Sequence, residues 1–200
     1  MLEVKDATIA IGERTLATGL SFTARDGQLT CVTGSADSGK TTLLRTLMGF
    51  LPVKEGFVSV DGELLTVRSA HAFRSMMIYL PQQMQMLRHQ LNAPNPPVCE
   101  AEEYSVWNGQ LPVVEPEQMA EPLSPEEIYL LAEQTIREAG DKQILIADEP
   151  AAFLTPELTE RMTILLLQQA AMGKTVLIAS RKPQLMAQAH QVIDLDTLRI

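Results

Sequence analysis

Positive charge is scarce in this sequence. Lys and Arg together number 16 against 25 Asp and Glu, a formal net charge of −9. Partners that attract clustered cations, such as DNA, RNA or an anionic lipid surface, are therefore not expected as direct binding surfaces. Cysteine is nearly absent too. Cys31 lies in an apolar run and Cys99 in a Pro-rich acidic stretch, a spacing that suits neither a metal site nor a disulfide framework, so a reducing, cytoplasmic compartment is expected. No eighteen apolar residues run without interruption, which excludes a spanning helix and direct membrane insertion. Glu3, Lys5 and Asp6 near the amino end leave no signal peptide to be read. His71, His89 and His190 are scattered singly, and no Ser-His-Asp or Cys-His arrangement stands out. Aromatics are few, and the single tryptophan, Trp107, is expected to anchor its own segment.

What is present is informative. The 200 residues, 46% of them hydrophobic, suffice for one globular domain with a sizeable core and a small appended lobe. The apolar run Leu29 to Thr33 leads into Gly34-Ser35-Ala36-Asp37-Ser38-Gly39-Lys40-Thr41, a complete G-x-x-x-x-G-K-[ST] loop, and a helix is expected from Lys40 through Thr42, Leu43, Leu44 and Leu47. Such a loop binds polyphosphate because glycines allow backbone N–H groups to converge on it without side-chain collision. Lys40 would reach the β- and γ-phosphates, Thr41 would offer a hydroxyl to Mg²⁺, and the helix start would place its positive dipole end at the anion.

Before the loop, Leu2 to Phe22 alternates apolar and polar residues and predicts two or three antiparallel strands. After the helix, which Gly49 ends, Asp61-Gly62 between two β-rich runs signals a hairpin. Met76 to Leu80 predicts a buried strand. From Leu87 to Pro125 seven prolines forbid a long helix, so this acidic stretch is expected to form a loop-rich lobe anchored by Tyr104 and Trp107. Order resumes where Ser124-Pro125-Glu126-Glu127 offers a capping Ser, Pro at the first helical position and Glu three residues after the cap. Ile128, Leu131, Ala132, Thr135, Ile136 and Ala139 then recur at helical spacing up to Gly140. The remainder alternates strand (143–147, 175–179, 191–195) with helix (156–172, 183–189), which implies a mostly parallel sheet with helices on both faces.

The strand Ile144 to Ala147 ends in Asp148-Glu149, the acidic half that a phosphate-loop enzyme needs. Asp148 is placed to hold Mg²⁺ and Glu149 to polarise a water for attack on the γ-phosphate. No Asn-Lys-x-Asp base-reading motif is present, which favours ATP over GTP.

Together these segments resemble the ATP-binding cassette (ABC) ATPases over nearly the whole chain. Asp148-Glu149-Pro150 matches the family's Walker B ending, and Ile78-Tyr79-Leu80-Pro81-Gln82 is similar to its Q-loop strand. Leu123-Ser124 falls where the signature Leu-Ser-Gly-Gly-Gln would begin, and 175–180 resembles the strand leading to the switch histidine. Val192-Ile193-Asp194-Leu195, with Arg199-Ile200, is similar to the closing strand and hairpin. The resemblance implies one cassette over 1–200: an α/β P-loop core (1–86 and 140–200) with an N-terminal antiparallel β subdomain, and a reduced Pro-rich helical lobe (87–139). It implies ATP and Mg²⁺ held by residues 34–42 (Gly34 to Thr42), Mg²⁺ by Thr41, Gln82 and Asp148, and catalysis by Glu149 and Gln82. It also implies a homo- or heterodimer with another ABC subunit, docked on a membrane-spanning partner at the inner face of the membrane.

Each departure from the family pattern touches catalysis. Pro125 and Glu126 stand at the signature glycines, where Pro removes an N–H and a carboxylate repels phosphate. Arg181 stands at the switch histidine, and it neither accepts a hydrogen bond nor exchanges a proton near neutral pH. The adenine-stacking aromatic would fall near Ile11, and Thr155 replaces the Asp of the following loop. The expectation is a transporter's ATP-binding subunit that hydrolyses slowly; the rival reading is an ATP-sensing pseudo-ATPase in a heteromeric complex, and a soluble cassette serving nucleic acid or translation ranks below both. Met76, Met77, Met84 and Met86 flank the Q-loop and suit core packing better than an adaptable partner interface.

Overall fold

Two sheets carry the chain. The computed structural model describes residues 1–84 and 122–198. The first sheet is antiparallel, with β1 (Leu2–Ile11), β2 (Arg14–Ala24), β4 (Glu55–Val60) and β5 (Glu63–Leu64) in the order β2-β1-β4-β5. The second contains β6 (Met77–Leu80), β7 (Ile144–Asp148), β8 (Thr175–Ala179), β3 (Leu29–Thr33) and β9 (Gln191–Asp194) in the order β6-β7-β8-β3-β9, every pair parallel. Helices α1 (Lys40–Leu47), α2 (Ala70–Ser75), α3 (Pro125–Glu138), α4 (Pro156–Ala171) and α5 (Pro183–Gln188) connect them, and a 3-10 turn, Leu195–Leu198, follows β9.

The three central strands of the parallel sheet are buried at every position and mostly apolar because both faces are covered. Their alternation splits two cores. Val32, Ile144, Ile146, Leu177 and Ala179 face the first, which Leu43, Leu44 and Leu47 of α1 and the antiparallel sheet complete. Leu29, Cys31, Leu145, Ala147, Val176 and Ile178 face the second, with Ile128, Ala132 and Ile136 of α3 and Met162 and Leu166 of α4. Met77 belongs to the first core and Met84 to the second, with Met76 packed against the first, as core packing requires. Arg161 of α4 stacks over the Tyr129 ring of α3 with its guanidinium carbon 4.4 Å from the centroid, tying those two helices together.

Local chemistry ends the elements where the sequence marks them. Asp61 and Gly62 both take positive φ (52° and 85°), the turn that joins two strands with matching twist. Ser124 and Glu127 form a reciprocal capping box: the Glu127 amide donates to Ser124 Oγ at 3.2 Å, and the Ser124 amide donates to Glu127 Oε2 at 2.8 Å. Pro125 occupies the first turn of α3. The closing strand is present as β9, while 195–198 form a 3-10 turn where strand and hairpin were expected to continue. The expected Pro-rich lobe from 87, with Met86, His89, Cys99, Tyr104 and Trp107, and the Arg199-Ile200 ending lie outside the described residues.

One glycine is required by contact. Gly56, at φ +74° where the β1–β4 register shifts, would place a Cβ 2.3 Å from the Lys5 carbonyl oxygen. Gly56→Ala must move backbone rather than a flexible side chain, so it is expected to lower stability by about 2 kcal/mol or more, measured as a drop in the urea midpoint without a change in slope.

Candidate functional site

Parallel strands deliver their carboxyl ends to one edge of the sheet. At that edge a cleft of about 410 Å³ is lined by Ala36, Asp37, Ser38, Gly39, Lys40, Thr41 and Thr42 after β3, Gln82 after β6, Asp148 and Glu149 at the end of β7, and Arg181 after β8. The phosphate loop and the acidic pair therefore meet in space. Gly34 and Ser35 do not line the cleft; they form the loop's entrance.

The loop geometry follows from its residues. Gly39, at φ 97°, opens α1 with Lys40 to Thr42 in its first turn. A Cβ there would lie 3.0 Å from Leu16 Cδ1, and one on Gly34 would lie 2.7 Å from Ser38 Oγ, so both glycines are needed for the loop to curl. Asp37 also takes positive φ (59°). Lys40 is only 8% exposed, and its Nζ donates to the carbonyls of Gly34 (3.0 Å) and Ser35 (2.9 Å) and, at 3.5 Å, to Ser38 Oγ. Burial pushes its pKa down, the Glu149 carboxylate pulls it back up, and Arg181 pushes it down again.

Asp148 is the most constrained acid. It is 2% exposed, it accepts a hydrogen bond from Thr41, and its Oδ1 has no partner among the described residues. Burial raises its pKa, Thr41 opposes that rise, and Glu149 adds to it. A buried carboxylate oxygen left unpaired, on a residue that accepts from a threonine hydroxyl and lines a polar cleft, fits a divalent cation better than it fits a solvated strand end.

Glu149 sits at φ 46°, left-handed and uncommon for a non-glycine residue, with its amide donating to the Ala179 carbonyl at 2.8 Å. Its carboxylate is engaged at both oxygens. Arg181 donates from Nε to Oε1 at 3.3 Å and from its backbone amide to Oε2 at 3.4 Å. The arginine at the switch position thus contacts the acid next to the metal-binding candidate. Thr155 serves the fold locally, because its hydroxyl caps α4 by accepting from the Leu158 amide.

Asp196, Arg14 and Leu16 had no local sequence signal, whereas Ile11 stands where the resemblance puts the adenine-stacking residue. Asp196, in the 3-10 turn after β9, accepts from the Ser35 amide (2.6 Å) and hydroxyl (2.9 Å), fastening the loop entrance across 161 residues of chain. Ile11, Arg14 and Leu16 of the β1–β2 hairpin form the remaining wall of the cleft. A second, larger groove of about 740 Å³ borders the amino ends of the strands, near Asp26, Gln143 and Lys174. There the Lys174 ammonium donates to the carbonyls of Gly140 and Lys142, so that cation is already engaged within the fold. Among the described residues no cluster of His, Cys, Asp and Glu can hold a metal by itself, and no helix is long and apolar enough to cross a membrane.

The family model described as ABC transporter matches residues 17–152. A putative ABC transporter ATP-binding protein of Treponema denticola is 38% identical over 88 residues, 44% of this chain and 17% of that protein. The L-cystine import ATP-binding protein TcyN of Bacillus subtilis is 23% identical over 98% of this chain and 82% of its own length. The chain spans between 15% and 24% of the length of three curated relatives it matches. In fold, it superposes on a nucleotide-free ATP-binding cassette from an ABC transporter with a TM-score of 0.71 and 20% identity, covering 97% of this chain and 87% of the other.

Burial of an unpaired carboxylate has a measurable sign. Because folding raises the Asp148 pKa, this group favours the fold only while protonated. That contribution is complete below the unfolded carboxylate pKa and is lost as pH rises through the folded value. Asp148→Asn is therefore expected to raise the melting temperature of nucleotide-free protein near neutral pH by about 2 °C or more, with the difference vanishing in acid, while abolishing any stabilisation by Mg²⁺ with ATP. Scanning calorimetry across pH tests both signs.

Proposed function

We propose, for a chain that belongs to the ABC transporter family, that it is the ATP-binding subunit of such a transporter, binding ATP with Mg²⁺ and hydrolysing it slowly. The observation that carries this reading is the convergence of Lys40, Thr41, Asp148 and Glu149 in one cleft, with one buried Asp148 oxygen left without a partner among the described residues.

In this reading the backbone amides of residues 36–42 bind the phosphates and Lys40 exchanges the Gly34 and Ser35 carbonyls for phosphate oxygens. Thr41 and Asp148 hold Mg²⁺, with Gln82 at the same wall. The cation, when bound, neutralises charge developing between the β- and γ-phosphates. Glu149 orients a water for in-line attack and accepts its proton. Both Glu149 oxygens already accept from Arg181, so the water must compete with a guanidinium for the base, which supports slow turnover. Glu126, exposed on the first turn of α3 beside Pro125, supplies negative charge where a facing subunit's phosphate would approach. The subunit acts as a homo- or heterodimer with another ABC subunit, in the cytoplasm, held at the inner face of the membrane by a spanning partner. Substitution of the signature and the Arg181–Glu149 pair equally support the second reading, an ATP sensor without significant turnover.

ATP turnover separates the two. Glu149→Gln is expected to lower hydrolysis by about 100-fold with nucleotide affinity retained, and Arg181→His to raise it several-fold by removing the guanidinium from Glu149 Oε1. Equal, near-zero rates in wild type and Glu149→Gln, with ATP still bound, would establish the sensor. Lys40→Ala leaving ATP affinity unchanged would overturn both.

A further inference from the structure

The hairpin wall of the cleft contains one polar side chain, and it is a cation. Ile11 and Arg14 are directly opposed in the β1–β2 register, which puts them on one face of the sheet, and Leu16 follows where the register shifts between the Ala10–Thr15 and Ile9–Ala17 pairs. Leu16 lies against Gly39 at the start of α1, which brings this end of the hairpin to the phosphate loop. All three residues line the same cleft as the phosphate loop. Ile11 is 56% exposed and offers an apolar surface of the kind a planar base covers, backed by the buried Leu16. Among the described residues no aromatic side chain lines the cleft. The Arg14 guanidinium makes no ion pair, side-chain hydrogen bond or ring contact with any described residue.

A guanidinium only donates. Guanine presents O6 and N7, two acceptors that match its fork, whereas adenine presents N7 beside an N6 amino group that itself donates. From this geometry we propose that Arg14 reads the base of the bound nucleotide and that the site accepts GTP at least as well as ATP. The proposal rests on the nucleotide-binding reading above and deepens it. The Asn-Lys-x-Asp motif, whose absence favoured ATP, is one way to recognise guanine; a free arginine on a hairpin is another. Were Arg14 a phosphate ligand instead, its loss would weaken both nucleotides alike, because their phosphates are identical.

Competition of ATP and GTP, each with Mg²⁺, against a fluorescent methylanthraniloyl-ATP probe tests this in wild type, Arg14→Ala, Arg14→Gln and Lys40→Ala. In wild type GTP is expected to displace the probe at least as well as ATP. Arg14→Ala is expected to shift the preference toward ATP by about tenfold. Arg14→Gln is expected to reverse it, because a carboxamide both donates to adenine N7 and accepts from N6. Retained ATP binding in these variants reports that they fold. A tenfold or greater preference of wild type for ATP, or a change in Arg14→Ala and Arg14→Gln that is the same factor for both nucleotides, overturns the proposal while leaving nucleotide binding intact. Absence of displacement by either nucleotide, or full affinity in Lys40→Ala, overturns the underlying reading and the proposal with it.

Discussion

The phosphate loop, the acidic pair and the groups around them depend on the common direction of five strands. In the order β6-β7-β8-β3-β9 each strand ends at the same edge, and each end delivers one component: Gln82, the Asp148-Glu149 pair, Arg181, the phosphate loop, and Asp196. An antiparallel neighbour among them would send one component to the far edge. The direction is sustained because β3, β7 and β8 are buried on both faces and are covered by helices on one side and by helix and antiparallel sheet on the other. Packing and chemistry are therefore one constraint: the residues that keep the central strands dry also keep their ends together.

Within that frame the cleft is electrostatically uneven. Asp148 and Lys40 are both removed from water, and their burial acts in opposite directions on their pKa values. Lys40 relieves its burial with carbonyls of its own loop, and Glu149 has Arg181, but one oxygen of Asp148 has no partner among the described residues. Such an arrangement is unfavourable for an empty protein and favourable for one that takes up a cation. The left-handed backbone at Glu149 belongs to the same pattern, since strain of that kind persists where surrounding contacts hold it in place.

Much of this was legible in the chain. The phosphate loop and the acidic strand end are contiguous motifs whose spacing encodes their geometry, and the alternation of apolar runs with capped helices encodes the parallel sheet. Ser124 to Glu127 could be read as a helix start because a capping box is entirely local. Contacts made by topology were not legible. Asp196 meets Ser35 only because β9 lies beside β3, and Leu16 meets Gly39 only because the β1–β2 hairpin packs over the start of α1. Arg181 could be placed at the switch position from sequence, yet its bond to Glu149 depends on β8 running next to β7.

The self-contained phosphate loop has a kinetic corollary. With the Lys40 ammonium bonded inward to the Gly34 and Ser35 carbonyls, an arriving ligand meets a loop that must first release its own cation. Association then proceeds in two stages, a diffusive encounter followed by a rearrangement whose rate does not depend on ligand concentration. The observed binding rate of this chain should accordingly level off as concentration rises, at a plateau set by the lysine's escape from its own backbone.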